Sequence, residues 1–497
     1  MNAKVVFSRI GIFLSCTILA CIYLLFFSQT LSPLYTIETC DSSVFKLMGR
    51  VILHGKIPYV DMFDHKGPVL YCIQAFGQWL IPGRNGLFVL ATIALTISIT
   101  CWYYTARLFT NLVISFITII LTLITYNFYA EYGNLTEDWN ILFISLSFYL
   151  IVSLVKSHHH WNYLIHGCFV GICLACSFLI RPNDAVSFIA APIFGTLIRA
   201  IKDKKYRDSI MWLGGITIGF ILVTAIFITW FAYHNALPDL WYGLIGFNSK
   251  YATGLMGLIK GGFKIAKLSY VPFLVTLLIL CWQLKDKYML FVLIPTIPAA
   301  YILQGNDAYL HYWIIWIPIL FFLYWLFACI QKNRAFTILA LCVFLSLPIF
   351  DNSNWLKVPI RMYNEVKRDI QYQDSAALLT NDLFTSIEPE DKDSIWSYNL
   401  TWHNKTVDAP NAFNVLLYND IIPCNRVPLI FMANRDSTLL RYMDITKAKP
   451  KYILFSQQHV TPYSYGLRDS IYILENYHTI NSCTKPELVL FERNKED

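Results

Sequence analysis

Between Thr36 and Leu80 the chain gathers Glu38, Asp41, Asp61, Asp64, His65 and Lys66 in one polar stretch. Carboxylates so placed can take a proton from a hydroxyl or offer oxygen ligands to a divalent metal. The lysine is a compact cation able to answer a phosphate. Further along, short polar motifs interrupt apolar sequence: NLTEDW with Glu137 and Asp138, LIRPND with Arg181 and Asp184, and GNDAYLHYW with Asp307, His311 and Tyr312. Charged groups at the ends of apolar runs are candidate site residues. Each also has an ordinary structural reading. Asp41 or Ser42 can cap a helix. Lys66 and Arg181 can reach to a membrane interface as anchors. Glu137 and Asp138 suit the positive end of a helix, and His311 suits an interface.

These residues must be held by elements of an unusual kind. Hydrophobic residues make up 56% of the 497-residue chain and charged residues 14%, against roughly 25% charged in soluble domains. The apolar residues fall into runs near 20 long, the length that crosses about 30 Å of hydrocarbon as a helix. About eleven such spans are expected by the usual window, over 6–28, 86–109, 111–130, 138–156, 161–180, 185–201, 210–233, 267–283, 288–304, 312–330 and 335–351. The first is too long for a cleaved leader and lacks a small-residue cleavage site, so it reads as a retained anchor. Pro68–Pro82 is apolar but short, and reads as a helix lying on or re-entering the surface.

Orientation follows from the distribution of Lys and Arg. With the N-terminus in the cytoplasm, the inner segments hold 13 basic residues, including Arg199, Lys202, Lys204, Lys205 and Arg207, and only three acidic ones, Asp203, Asp208 and Asp286. The excess is a topology signal and does not call for nucleic acid. The segments 30–84 and 234–264 and the tail from Asn352 then face outward. No P-loop occurs, so an ATP-driven pump is not indicated. Most of the 13 cysteines sit in apolar runs, where cysteine packs as a small hydrophobe. Cys424 and Cys483 fall in the tail, and a disulfide between them is an open alternative.

In the first outer loop, Ser42 to Leu53 has helical apolar spacing, and HGKIPYVDMFDHKGP reads as a loop punctuated by Gly and Pro. The order Asp41, Phe45, Gly49, Gly55, then Lys66, Gly67, Pro68, Val69, Leu70, Tyr71 resembles the GT-C superfamily of membrane glycosyltransferases. Within it the similarity is to the protein-mannosyltransferase and aminoarabinose-transferase branch. The departure is Gly67, where that branch often has a first proline. The resemblance implies a polyprenyl-phosphate-linked sugar as donor and a lipid, glycan or protein acceptor. Asp41 would be the base or orient the acceptor, and Lys66 would meet the donor phosphate. Similar elements near the later motifs imply Arg181 as a second phosphate contact, with Glu137, Asp138, His311 and Tyr312 as further candidates. Glu38, Asp61, Asp64 and His65 are weaker ones. No cofactor is fixed by the sequence, and a divalent metal held by Glu38, Asp41, Asp61 and Asp64 stays open.

The expected architecture is therefore a polytopic α-helical, GT-C-like membrane module over 1–351, followed by an extracytoplasmic α/β domain over 352–497. In the tail, strands are expected at Ser394–Leu400, Pro428–Met432, Lys451–Ser456, Ile471–Tyr477 and Leu488–Arg493, with helices near Pro359–Gln373 and Ser437–Ala448. The setting implied is a bacterial inner membrane with the site facing the periplasm. Three other readings compete with the transferase. A polysaccharide polymerase or ligase would show a large late outer loop. A transporter or flippase would carry charges at the bilayer midplane. A non-catalytic membrane component is the third.

Overall fold

A computed structural model describes residues 3–34, 39–130, 133–156, 162–251, 287–303, 311–312, 314, 322–330, 382–398, 412–428, 430–456, 465–484 and 487–495. The expected spans at 267–283 and 335–351, the expected helix near Pro359–Gln373, Glu38 and Asp307 lie outside them. The described helices begin with α1 (Ala3–Phe27), α2 (Cys40–Leu53), α3 (Pro68–Leu80), α4 (Arg84–Arg107), α5 (Leu112–Tyr129), α6 (Thr136–Lys156) and α7 (Tyr163–Phe178). Long helices follow at Pro182–Lys202 and Tyr206–Tyr233, and another runs over Lys287–Leu303. Among the described residues, five helices are long and apolar enough to cross a membrane, and two shorter apolar ones accompany them.

Two compact units partition the chain, and they cut it differently from the expected division at 351/352. One takes 1–32, 88–230 and 252–362; the other takes 33–87, 231–251 and 363–497. The first outer loop thus belongs with the tail.

In the first unit, α1 leaves Ile10, Phe13, Leu14, Ile18 and Ile22 exposed, and the Tyr206–Tyr233 helix does the same with Ile210, Ile221, Leu222 and Ile226. Apolar surface of that extent requires a hydrocarbon surrounding. Where helices meet, small residues set the distance. Gly167 and Gly171 of α7 face the backbone of Trp212 and Ile216, and Gly215 and Gly219 face the backbone of Leu164 and Cys168. A Cβ at any of the four would fall well inside van der Waals contact of a carbonyl oxygen, so the backbones touch without side chains between them. Buried polar groups tie the same bundle. Trp102 donates to Ser145 Oγ at 2.9 Å and Trp325 to Thr125 Oγ1 at 2.9 Å. Trp212 donates to His166 Nδ1 at 3.1 Å, which leaves the His166 Nε2 proton for the Leu150 carbonyl, also at 3.1 Å. The Pro182–Lys202 helix contains a π turn at Val186–Ala190 just before Pro192. The proline has no N–H to give the regular ladder, and the wider turn absorbs the mismatch.

In the second unit, α2 and α3 cross at Gly49, where a Cβ would lie 2.7 Å from Ala75 N. The α2 apolar face predicted from spacing is buried at Val44, Leu47, Met48 and Val51. The tail carries a four-stranded sheet of β1 (Ile395–Tyr398), β2 (Tyr452–Ser456), β3 (Tyr477–Thr484) and β4 (Glu487–Arg493) in the order β1-β2-β4-β3. The β1–β2 pair is parallel and the other pairs are antiparallel. Two expected strands are corrected. Ile430–Arg435 is helical in place of a strand at Pro428–Met432. Tyr465–Asn476 is a helix, and the strand begins only at Tyr477. The alternation Ile471, Ile473 suggested a strand, but Asp469 and Ile473 are buried while Ile471 and Leu474 are exposed, which is helical spacing. No disulfide joins Cys424 and Cys483.

Candidate functional site

The second unit holds the first-loop residues. Thr39 caps α2, its side chain accepting from Ser42 N at 3.4 Å. Capping therefore falls to neither Asp41 nor Ser42, and Asp41 stands in the first helical turn, half-buried. After α2 the chain turns through Gly55 at φ 72° and then through Tyr59 at φ 69°. A bulky residue in that region stores strain of roughly 1–3 kcal/mol, which surrounding contacts must hold. Tyr59 is wholly buried, its ring beside those of Tyr71 and Phe231 at 5.7 Å each, and a Cβ on Gly243 would strike it. Asp61 closes the same turn by accepting from Ile57 N at 2.5 Å. Its carboxylate is thereby committed to the loop.

What the turn presents is the run Asp64, His65, Lys66. Tyr59 donates its hydroxyl to Lys66 O at 2.7 Å, and Lys66 N–H donates to Tyr71 Oη at 3.1 Å. The Lys66 backbone is thus held at both polar atoms by buried phenols. Tyr71 in turn donates to Asp64 Oδ2 at 2.8 Å, and the other Asp64 oxygen lies 3.3 Å from His65 Nδ1. On the far side of the imidazole, Nε2 is 2.9 Å from Lys66 Nζ. Asn248 Nδ2 donates to His65 O at 2.9 Å. Burial pushes the Asp64 carboxyl up, but its contacts with His65 and the nearby Lys66 charge outweigh it and hold it below the ordinary carboxylate range. Burial and the Asp64 charge push Tyr59 and Tyr71 well above the usual phenol range, so both stay donors. Pro68 then opens α3 with Gly67 as its N-cap. Pro68 lacks an N–H that the first turn would leave unpaired anyway.

The tail grips this loop. Arg50 donates to Leu417 O at 2.5 Å and pairs with Asp420 at 2.9 Å. Lys56 pairs with Asp393 at 2.9 Å, and Phe63 N–H donates to Arg426 O at 2.6 Å. The 237–251 stretch joins them: Arg426 pairs with Asp239, while Tyr242 and Lys250 donate to Asp436 at 2.5 and 2.6 Å.

The first unit holds the other candidates. Arg181 bonds the buried Glu137, lies 3.5 Å from Asp184, and stacks its guanidinium 4.2 Å from the Tyr312 ring centroid. The His311 ring meets Tyr312 edge-on at 4.7 Å. Asn140 donates to Asp184 at 2.8 Å. Asp138 accepts from Tyr126 and from Leu135 N. Glu137, Arg181, His311 and Tyr312 thus form one network with Asp184 and Asn140, while Asp138 is turned to Tyr126. The sequence named Tyr71 only as a motif position with no role of its own, and singled out neither Asn140 here nor Tyr59 and Asn248 in the second unit. Aromatics and amides in apolar runs carry no signal of the partner they meet in space.

For a divalent metal the fit is poor among the described residues. Asp61 and Asp64 are committed to protein donors, and no three His, Cys, Asp or Glu side chains gather as a metal-holding group.

Residues 65–230 match the family described as dolichyl-phosphate-mannose-protein mannosyltransferase. No curated protein sequence matches the chain. Among solved structures, ArnT from Cupriavidus metallidurans bound to undecaprenyl phosphate is similar at a TM-score of 0.55 and 11% identity, over 97% of this chain and 98% of that one. The apo structure of the same ArnT gives 0.55 and 11% over 98% of each chain. The chain has the GT-C fold.

Proposed function

We propose that this GT-C-fold integral membrane protein is a glycosyltransferase that moves a sugar from a polyprenyl-phosphate donor to a hydroxyl on a lipid, glycan or protein acceptor. One observation carries the reading: a half-buried lysine, fixed through its own backbone by two buried phenols, stands at the head of α3 in a loop that begins with an Asp-bearing helix. The similar ArnT structure is one with undecaprenyl phosphate bound, which favours a lipid phosphate as the group Lys66 meets.

In this reading the acceptor oxygen attacks the anomeric carbon as the bond from that carbon to the phosphate oxygen breaks. The electron pair leaves with the polyprenyl phosphate, whose negative charge Lys66 offsets in a site of low dielectric. Asp41 takes the acceptor proton, and its charge favours the oxocarbenium-like state. We assign Arg181 to holding Glu137 and Asp184, since two carboxylates already answer its charge. The reaction face is the extracytoplasmic side of a bacterial plasma membrane, supported by the basic run at Arg199–Arg207 on the opposite side.

The test is transfer from a polyprenyl-phosphate sugar by the purified chain. Asp41→Asn is expected to lower turnover by about 10²–10⁴-fold, the usual worth of a general base. Undiminished turnover by that variant would remove the assigned base.

A further inference from the structure

We propose that Asp64 and His65 are positioning residues for Lys66, acting as a carboxylate–imidazole relay that aims the ammonium without neutralising it. The inference rests on Lys66 as the phosphate contact and adds how that lysine is kept available.

The geometry is a line of three neighbours in sequence. Asp64 Oδ1 lies 3.3 Å from His65 Nδ1, an ion-pair contact outside hydrogen-bond alignment, and His65 Nε2 faces Lys66 Nζ at hydrogen-bond distance, 2.9 Å. An ammonium has only donors, so the Nε2 beside it must be the acceptor. The imidazole proton therefore sits on Nδ1, the nitrogen nearer the Asp64 carboxylate. Around this line the fit is tight. Asp64 is 2% exposed and is fixed by Tyr71. His65 is fixed through its carbonyl by Asn248 and lies 5.4 Å from the Phe247 ring.

The chemical consequence concerns what remains on the lysine. A carboxylate in direct contact would cancel the ammonium's charge and compete with any incoming phosphate. A neutral imidazole takes one of its three N–H donors and leaves the charge and two donors for an anion. Asp64 places its negative charge near the ammonium, but at one imidazole's remove.

The experiment measures binding of undecaprenyl phosphate to the purified full chain in detergent micelles. Gln places its terminal amide where His65 Nε2 stands, while Asn reaches only the Nδ1 position. His65→Gln, which keeps the acceptor for Lys66 but not the group beside Asp64, is expected to lose only a few-fold, and His65→Asn roughly tenfold, the worth of one charge-assisted hydrogen bond. Both are polar amides, so a merely structural role for His65 would not separate them. Adding His65→Asn to Lys66→Met is expected to weaken binding no further than Lys66→Met alone, because the two act through one group. Equal losses for Gln and Asn, or losses that multiply with Lys66→Met, would overturn the relay. Unaltered binding by Lys66→Met would overturn the phosphate reading itself and the relay with it. Should His65→Asn not yield folded protein, Asp64→Asn takes its place, with the same non-additivity expected against Lys66→Met.

Discussion

At the scale of the residue, the first loop shows how buried polar groups can specify one conformation. Tyr71 serves two partners, donating to Asp64 and accepting from Lys66 N–H. Tyr71→Phe keeps the packing and strands both, so it is expected to destabilise by about 1–3 kcal/mol, read as a lowered thermal midpoint in micelles. A second expectation concerns pH. The folded carboxyl of Asp64 lies below its ordinary range. Such a group contributes stability that is whole above its unfolded value, about 3.9, and is lost as pH falls through the folded one. Acidification below about pH 4 should therefore lower the wild-type midpoint more steeply than that of Asp64→Asn. The cluster Asp64, His65, Lys66 could be seen in the sequence because its members are consecutive. Its supports could not: nothing in a string of letters announces that Tyr59 adopts φ 69° or that Asn248 reaches the His65 carbonyl.

At the scale of the element, the crossing of α7 with the Tyr206–Tyr233 helix offers a matched pair of positions. A Cβ on Gly215 would strike the Leu164 carbonyl, while one on Gly214 would have Leu164 Cδ1 at 3.9 Å as its nearest neighbour. Gly215→Ala should therefore destabilise by about 1–3 kcal/mol, as overpacking does, and Gly214→Ala should be tolerated. Comparing the thermal midpoints of the two variants decides it. Helices of this kind were legible because length and apolarity alone fix them in hydrocarbon. The tail was read less well. Its elements are short, and a segment such as Tyr465–Asn476 carries Ile471 and Ile473 two apart, the period of a strand, while burying Asp469 and Ile473 four apart. Which period wins is settled by the sheet against which Ile473 packs, beside Trp396 and Ile453. That information is not local.

At the scale of the whole molecule, one unit is built from the loop at 33–87, the stretch 231–251 and the tail. The loop that carries Lys66 is completed by partners hundreds of residues later, among them Asp393, Leu417, Asp420 and Arg426. Ending the chain at residue 362 should abolish transfer although Asp41, Lys66 and every expected span remain, and limited proteolysis should then cut within 33–87. Orientation is tested separately. A cysteine replacing the exposed Lys447 should react with a membrane-impermeant thiol reagent on intact cells, and one replacing Lys204 should react only after lysis. Two of the grips on the loop are made to main-chain oxygens, those of Leu417 and Arg426. A carbonyl is the same whichever amino acid bears it. The far end of the polypeptide can thus exchange letters at such anchor points over generations and still clasp its ward, leaving structure as the more durable record of their partnership than spelling.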